Sequence, residues 1–205
     1  MSWAQEIRAF RARTQIKQEA LAEKLGVSQA YVSKLEGGGA RPVGAVAETL
    51  RQLLDQPDNR PLFDHFKSAV NNSPHLCSLF EQAGTSIRFI AVSQGYRDMG
   101  YPMSEVYPGG VLDERFVPEL RANVARMIED GIFDGRIACC ELLWMAERKD
   151  GYHYWRSVNT PVKSDAGIWF LHHSALEVSK AQYDEQVARQ GGELYYRDFQ
   201  GDNVK

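Results

Sequence analysis

The residues whose types and spacing best suit chemistry lie between Gln18 and Gly37. Leu21, Ala22 and Leu25 recur at helical spacing, and Val32 and Leu35 do so in the next segment. Gly26 divides the two helices, because glycine takes the positive φ that ends a helix at little cost. Val27 plugs the turn, and Ser28 is placed to cap the second helix by accepting from a backbone N–H. Ala22 is small enough to let the second helix cross closely. With Val32 and Leu35 turned inward, Gln29, Ala30, Ser33 and Lys34 face out, and Tyr31 sits at the rim. A glutamine amide pairs bidentately with adenine, lysine reaches guanine or phosphate, serine adapts, and alanine meets a thymine methyl. Such a set suits the major groove of double-stranded DNA.

The bulk of the chain has to hold that segment in place. Its 205 residues are enough for two domains. With 43% hydrophobic and 25% charged residues the composition is that of a globular protein. The net charge of −3 has the wrong sign for a nucleic-acid binder, but it is unevenly spread. Residues 1–56 carry eight basic and six acidic side chains, a net of +2. The remainder holds sixteen basic and twenty-one acidic ones, a net of −5. Only the head is charged to approach phosphates. No apolar run nears the roughly 18 residues that span a bilayer, so no membrane association is expected. The first residues lack the basic and apolar blocks of a signal peptide, so a cytoplasmic location is expected. Cys77, Cys139 and Cys140 are an odd set with two adjacent members, a poor disulfide framework, and are read as reduced thiols.

Trp3 to Leu54 is helical by pattern, with Ile7 and Phe10 on one face. Gly37-Gly38-Gly39 interrupts it, and Pro42 is expected to open another helix. Residues 1–56 are therefore read as one domain, and 57–73 as a connector with a short helix from Leu62 to Val70. Pro57 and Pro61 bound the polar start of that connector. Residues 74–179 change texture. Leu76 to Glu81 and Ser86 to Ser93 read as a hairpin, and Pro118 to Asp130 as a helix. Arg136 to Glu147, Tyr152 to Val162 and Ile168 to Ser179 read as strands, the first two joined by the tight turn Lys149-Asp150-Gly151. Residues 180–205 form a helix, Lys180 to Arg189, and a tail the pattern does not explain. The fold class is α+β in two domains: an all-α bundle, then an antiparallel sheet with helices.

Arg8 to Leu54 resembles the phage-repressor-like (XRE) helix-turn-helix family, a five-helix DNA-binding domain. Gln18 matches its glutamine at the start of the second helix, Gly26, Val27 and Ser28 match its turn, and Glu36, Gly38 and Pro42 match the stretch after the recognition helix. The resemblance implies operator binding as a dimer, with Gln18, Gln29, Lys34 and Arg41 as DNA contacts. Ser28, Ala30, Tyr31 and Ser33 join that set from the face they occupy. Lys17 departs from the family's usual Ser or Thr cap, and Gly37 and Gly39 from its polar or basic residues. Pro74 to Ser179 resembles a PAS domain. It does so in the stretches from Ile90 to Tyr96, Met99 to Glu105, Arg148 to Gly151, Tyr154 to Arg156, and Pro161 to Val162. That resemblance implies a domain that dimerises and senses a small molecule.

No flavin-type cysteine motif is present, and the helix from Pro118 to Asp130 holds no histidine, so neither flavin nor haem is expected. No nucleophile and base stand at catalytic spacing, and no Cys/His set stands at metal-ligand spacing; no catalytic or metal site is expected. The candidate ligand contacts are Tyr96, Met99, Cys140, Trp144, Trp155 and His172. One of Cys139 and Cys140, and one of His172 and His173, must face inward, since strand neighbours alternate. The apolar face Ala138, Cys140, Leu142, Trp144, Ala146 serves equally as core, pocket wall or dimer surface. The reading is thus a homodimeric regulator with a small-molecule effector, or one whose second domain is a ligand-free dimerisation or protein-interaction module. Leu62 to Val70 and Lys180 to Arg189 are the candidate dimer seams.

Overall fold

A computed structural model describes residues 2–56 and 61–201. Pro57, and the tail beyond 201, lie outside the described residues. The chain divides into two compact units, 1–65 with 164–168, and 66–163 with 169–205.

The first unit holds helices α1 (Trp3–Thr14), α2 (Gln18–Leu25), α3 (Gln29–Glu36) and α4 (Gly44–Asp55). Ser2 and Gln5 form a reciprocal capping box that starts α1. Lys17 stands at the N-cap of α2 with no side-chain cap. Gly26, at φ 65°, ends α2 by donating back to Ala22 and Glu23, and Ser28 caps α3 at the Tyr31 N–H. Ile7, Phe10, Leu21, Ala22, Leu25, Val32, Leu35 and Leu50 form one buried cluster. Each large member contributes about 1.5–3 kcal/mol on burial, which fixes the angle between α2 and α3. Pro42 does not open α4. Val43 is extended and Gly44 takes φ 55°, so no right-handed helix can run from Pro42 through Gly44.

The second unit holds most of α5 (Leu62–Asn71), then β1 (Leu76–Ala83), β2 (Ser86–Val92), α6 (Gln94–Asp98) and a single 3-10 turn at Met103–Glu105. There follow α7 (Pro118–Glu129), β3 (Cys139–Arg148), β4 (Gly151–Lys163), β5 (Trp169–Val178), α8 (Lys180–Gln190) and β6 (Leu194–Arg197). The six strands form one antiparallel sheet in the order β2-β1-β5-β4-β3-β6. The order of its first five strands, with α6 and α7 between β2 and β3, is that of a PAS-like domain. Pro161 is tolerated within β4 because β3 no longer pairs there: Cys140 to Asn159 is the last matched pair.

The inner face carries Leu76, Ser78 and Phe80 from β1, and Leu171, His173 and Ala175 from β5. From β4 and β3 it carries Trp155, Ser157, Asn159, Cys140, Leu142, Trp144 and Ala146. Leu120, Val124 and Met127 of α7 pack into the same core. The outer face is partly covered by α5, through Phe66 on His172, and by α8, through Tyr183 on Tyr154.

The tail unexplained by pattern includes β6. It pairs with β3 from Leu142↔Leu194 to Cys139↔Arg197 and so covers that edge. Tyr196 is buried there and donates to Asp130 Oδ2 at 2.8 Å. On the outer face Glu141 accepts from Arg156 of β4 and Arg197 of β6, which fastens β6 to the sheet.

Candidate nucleic-acid interface

The α2–turn–α3 segment is built outward from its apolar contacts. Val32 and Leu35 are fully buried against Leu21, Ala22 and Leu25. The helical repeat then forces Gln29, Ala30, Ser33 and Lys34 to the exposed side, where they are found. Tyr31 is half-buried, and its hydroxyl donates to the Arg41 carbonyl at 3.3 Å. That bond ties the loop after α3 to α3 and leaves the Arg41 side chain exposed. Ser28 is exposed, but its hydroxyl already accepts from the Tyr31 N–H at 3.2 Å. Gln29, Ala30, Ser33 and Lys34 thus share the exposed side of α3, while Ser28 and Arg41 are exposed at its ends.

Gln18 and Glu36 lie behind this face. The Glu36 carboxylate accepts from Arg11 Nε at 2.5 Å and Nη2 at 3.2 Å, and from Gln18 Nε2 at 2.6 Å. Arg8 donates to the Glu36 carbonyl. Gln18 Oε1 accepts in turn from Gln29 Nε2 at 2.6 Å. Burial pushes the Glu36 carboxyl up, but the hydrogen bonds from Arg11 and Gln18 outweigh it and hold the group below the usual range. Glu36 is therefore an anion at neutral pH, locked between α1 and α2. Its side-chain role was not legible from the sequence, where it counted only as a family-matching position.

The sheet interior of the second unit is a separate candidate site. A void of about 30 Å³ lies between sheet and helices, room for roughly two waters. Of the six residues named from sequence, Tyr96 and Trp144 line it. Trp155 stacks on Trp144 at 4.6 Å without lining the void, and its buried indole N–H has no acceptor among the described residues. Cys140 is on the inner face but away from the void, and burial pushes its thiol up. Met99 is partly buried, 3.8 Å from Arg148 Nη1.

His172 is misplaced by the sequence reading. The pairings Ser78↔His173 and Asn159↔His173 put His173 on the inner face, and alternation sends His172 outward onto Phe66. Ser78 donates to the Tyr96 hydroxyl at 3.4 Å, and that hydroxyl lies within hydrogen-bonding distance of His173 Nδ1, at 3.2 Å. Burial, with the neighbouring His172, pushes the His173 pKa down to about 3, so the ring is neutral. Asn159 donates to the Cys140 carbonyl at 3.3 Å and completes a polar row across β1, β5 and β4. His173 was one of the two histidines of which alternation sends one inward, whereas Ser78 and Asn159 carried no signal in the sequence.

Residues 4–63 match the family described as a helix-turn-helix domain. The N-terminal unit holds a helix-turn-helix domain. Among curated proteins, none matches the sequence. Among solved structures, the chain is similar to a light-oxygen-voltage protein of Rhodobacter sphaeroides, at 16% identity and a TM-score of 0.42 over 63% of this chain and 73% of that one. It is similar to the PAS domain of BvgS from Bordetella pertussis at 9% identity and a TM-score of 0.45, over 62% and 94%. It is also similar to an RNA-binding light-oxygen-voltage receptor at 13% identity and a TM-score of 0.43, over 91% and 63%. The PAS-like description rests on strand order and not on these likenesses. Among the described residues no helix is long and apolar enough to cross a membrane, and no cluster of three His, Cys, Asp or Glu side chains could hold a metal ion.

Proposed function

We propose that this chain is a sequence-specific transcriptional regulator of the phage-repressor-like type that binds operator DNA as a homodimer. The observation that carries this is the exposed row Gln29, Ala30, Ser33 and Lys34 on α3, with Val32 and Leu35 of the same helix locked into the core. Such a row fits a major groove, where each good bidentate pair discriminates by about 1–3 kcal/mol. Residues 1–56 carry a net charge of only +2, so one copy gains little from phosphates and two half-sites are needed. The second unit is the natural source of dimer contacts, with α5, which runs into it from an exposed Leu62, or α8 as the seam. The test is selection from a randomised duplex library with the full chain. Gln29→Ala and Lys34→Ala should each relax preference at one base pair. Arg41→Ala should weaken all duplexes alike and flatten the salt dependence. Wild-type behaviour of both α3 variants would refute the assignment.

Two roles for the second unit are supported by different observations. The void of about 30 Å³ favours a dimerisation or protein-interaction module. The buried polar row and the unpaired Trp155 N–H favour response to a small molecule. Thermal-shift screening against metabolites separates them, since a ligand stabilises the folded state by mass action.

A further inference from the structure

We propose that the C-terminal segment from α8 to β6 is a strap that holds α7 against the sheet, and that the interior of the second unit opens where this strap lets go. The use of such an opening rests on the small-molecule reading above; the strap itself is tested without a ligand.

The void is bounded by Leu120, Val124 and Met127 of α7 and by Leu142 and Trp144 of β3, among others. The C-terminal segment joins these two elements. Strand β6 presents alternate residues to the core: Leu194 packs against it and Tyr196 is buried in it, whereas Arg197 turns outward to Glu141. Two side-chain hydrogen bonds run from this segment to α7. Glu193 accepts from Asn123 Nδ2 at 2.5 Å, and Tyr196 donates to Asp130, the C-cap of α7, at 2.8 Å. The Glu193 carboxylate also accepts from the Tyr183 hydroxyl of α8 at 2.5 Å, and its carbonyl accepts from the Leu143 N–H of β3 at 2.8 Å. One residue therefore ties together α7, α8 and β3.

A strap differs from a wall in how it is held. Strand β6 has four residues, pairs with β3 alone among the described strands, and is reached through Gly191, at φ 76°, and Gly192. A pairing that short is marginal by itself. It is held by Glu193, Tyr196 and Arg197, each of which reaches a partner on another element. The apolar packing of α7 on the sheet is non-directional and tolerates a small shift beside a void. Its bonds to Glu193 and Tyr196 are directional and are lost together when β6 lifts. Opening is then a local event that leaves the other strands paired. Cys140 is placed to report it. Its buried thiol shares the inner face with Tyr196, its cross-strand partner, so lifting β6 uncovers it.

The test uses the full chain and hydrogen exchange read by mass spectrometry. Asn123→Leu and Tyr196→Phe each remove one tie to α7 and leave β6 paired with β3. Each should speed exchange of the α7 amides roughly tenfold, and the two together should multiply, while amides of β1 and β5 exchange as in wild type. In a Cys77→Ser, Cys139→Ser background Cys140 is the remaining thiol. Its modification by methyl methanethiosulfonate should accelerate in step with α7 exchange. Exchange is also followed with all three cysteines in place, so the result stands even if that background folds poorly. Equal acceleration in α7, β1 and β5 would mean a general loss of stability, and α7 exchange at the wild-type rate would mean that the ties hold nothing; either result overturns the strap. A metabolite that raises the melting temperature of a chain whose α7 ignores both substitutions overturns the strap and leaves the small-molecule reading standing. Loosening of α7 as expected, with no compound shifting the melt, supports the strap and overturns that reading.

Discussion

Replacing Glu141 by glutamine tests how β6 is fastened to the sheet. The Glu141 carboxylate is 5% exposed and accepts from Arg156 Nε at 2.9 Å and Nη2 at 2.6 Å, Arg197 Nη2 at 2.7 Å, and Gln190 Nε2 at 3.2 Å. Breaking a fully buried pair costs about 3–5 kcal/mol, whereas exposed pairs contribute about 0–1 kcal/mol. Here the acid is buried but its arginines are 43% and 44% exposed, so water can resolvate them once released. Glutamine also keeps the volume and part of the hydrogen bonding. About 2 kcal/mol is the expected loss for the second unit, a fall in melting temperature of roughly 6–10 °C for a unit of this size. Burial pushes the Glu141 carboxyl up, and Arg156 and Arg197 more than reverse this, so its folded pKa lies below the ordinary value of 4.5. A depressed acid contributes stability that is complete above the unfolded pKa and is lost as pH falls through the folded one. The gap between wild type and Glu141→Gln must therefore be full at pH 7 and shrink below about pH 4.5. Near-ultraviolet circular dichroism of the stacked Trp144–Trp155 pair reports unfolding of this unit. A variant as stable as wild type at pH 7, or a gap that persists unchanged to pH 3.5, would refute the clamp.

Ser28→Ala removes the cap of α3 and should cost about 1 kcal/mol, read by denaturant unfolding of the first unit. Gly95→Ala would put a Cβ 2.4 Å from the His75 backbone; overpacking of that kind costs typically about 1–3 kcal/mol, visible as a lower melting temperature of the second unit. His173 titrates near 3 when folded but near 6.5 when unfolded, so the unfolded chain takes up the proton first. Stability of the second unit should fall as pH drops from about 6.5, by up to about 1.4 kcal/mol per pH unit, and His173→Gln should flatten that slope. An identical slope in the variant would show that other groups carry it.

The first unit was legible because its signals are local. Gly26, Ser28 and the spacing of Leu21, Leu25, Val32 and Leu35 each act within a few residues, and the α2–turn–α3 segment follows from them. The start of α4 differs from that reading: Pro42 suits a first helical turn, but Pro42 is buried in the loop, Val43 is extended and Gly44 takes a positive φ. Strands β1 to β5 were legible from alternation and turn residues. What alternation cannot give is phase: the choice between His172 and His173 depends on register with β1 and β4, a long-range matter. Strand β6 was illegible because four residues carry no period, and its place depends on Tyr196 reaching Asp130 and Arg197 reaching Glu141. The link from Glu36 to Gln29 was hidden for the same reason, since it joins three helices through side chains eleven to twenty-five residues apart.

The interior of the second unit combines two features with opposite energetic signs. Packing leaves about 30 Å³ empty, so phenylalanine, leucine and tryptophan side chains supply the cohesion that a bound molecule would otherwise supply. Against this, the same face carries Ser78, His173 and Asn159 with Tyr96 above them, and Trp155 buries an N–H with no acceptor among the described residues. The unmet Trp155 donor costs about 1–3 kcal/mol, whereas the row itself is hydrogen-bonded within the core. The row's hydrogen bonds offset much of the cost of burying it, while the small void denies direct entry to anything beyond water. Both hold if the closed form is the resting state and an open form is a minor one. A ligand would then bind the open form, and its apparent affinity would be reduced by the fraction of chains that are open. Under the proposed sensing role, the response to a small molecule is drawn from the cost of separating α7 from the sheet.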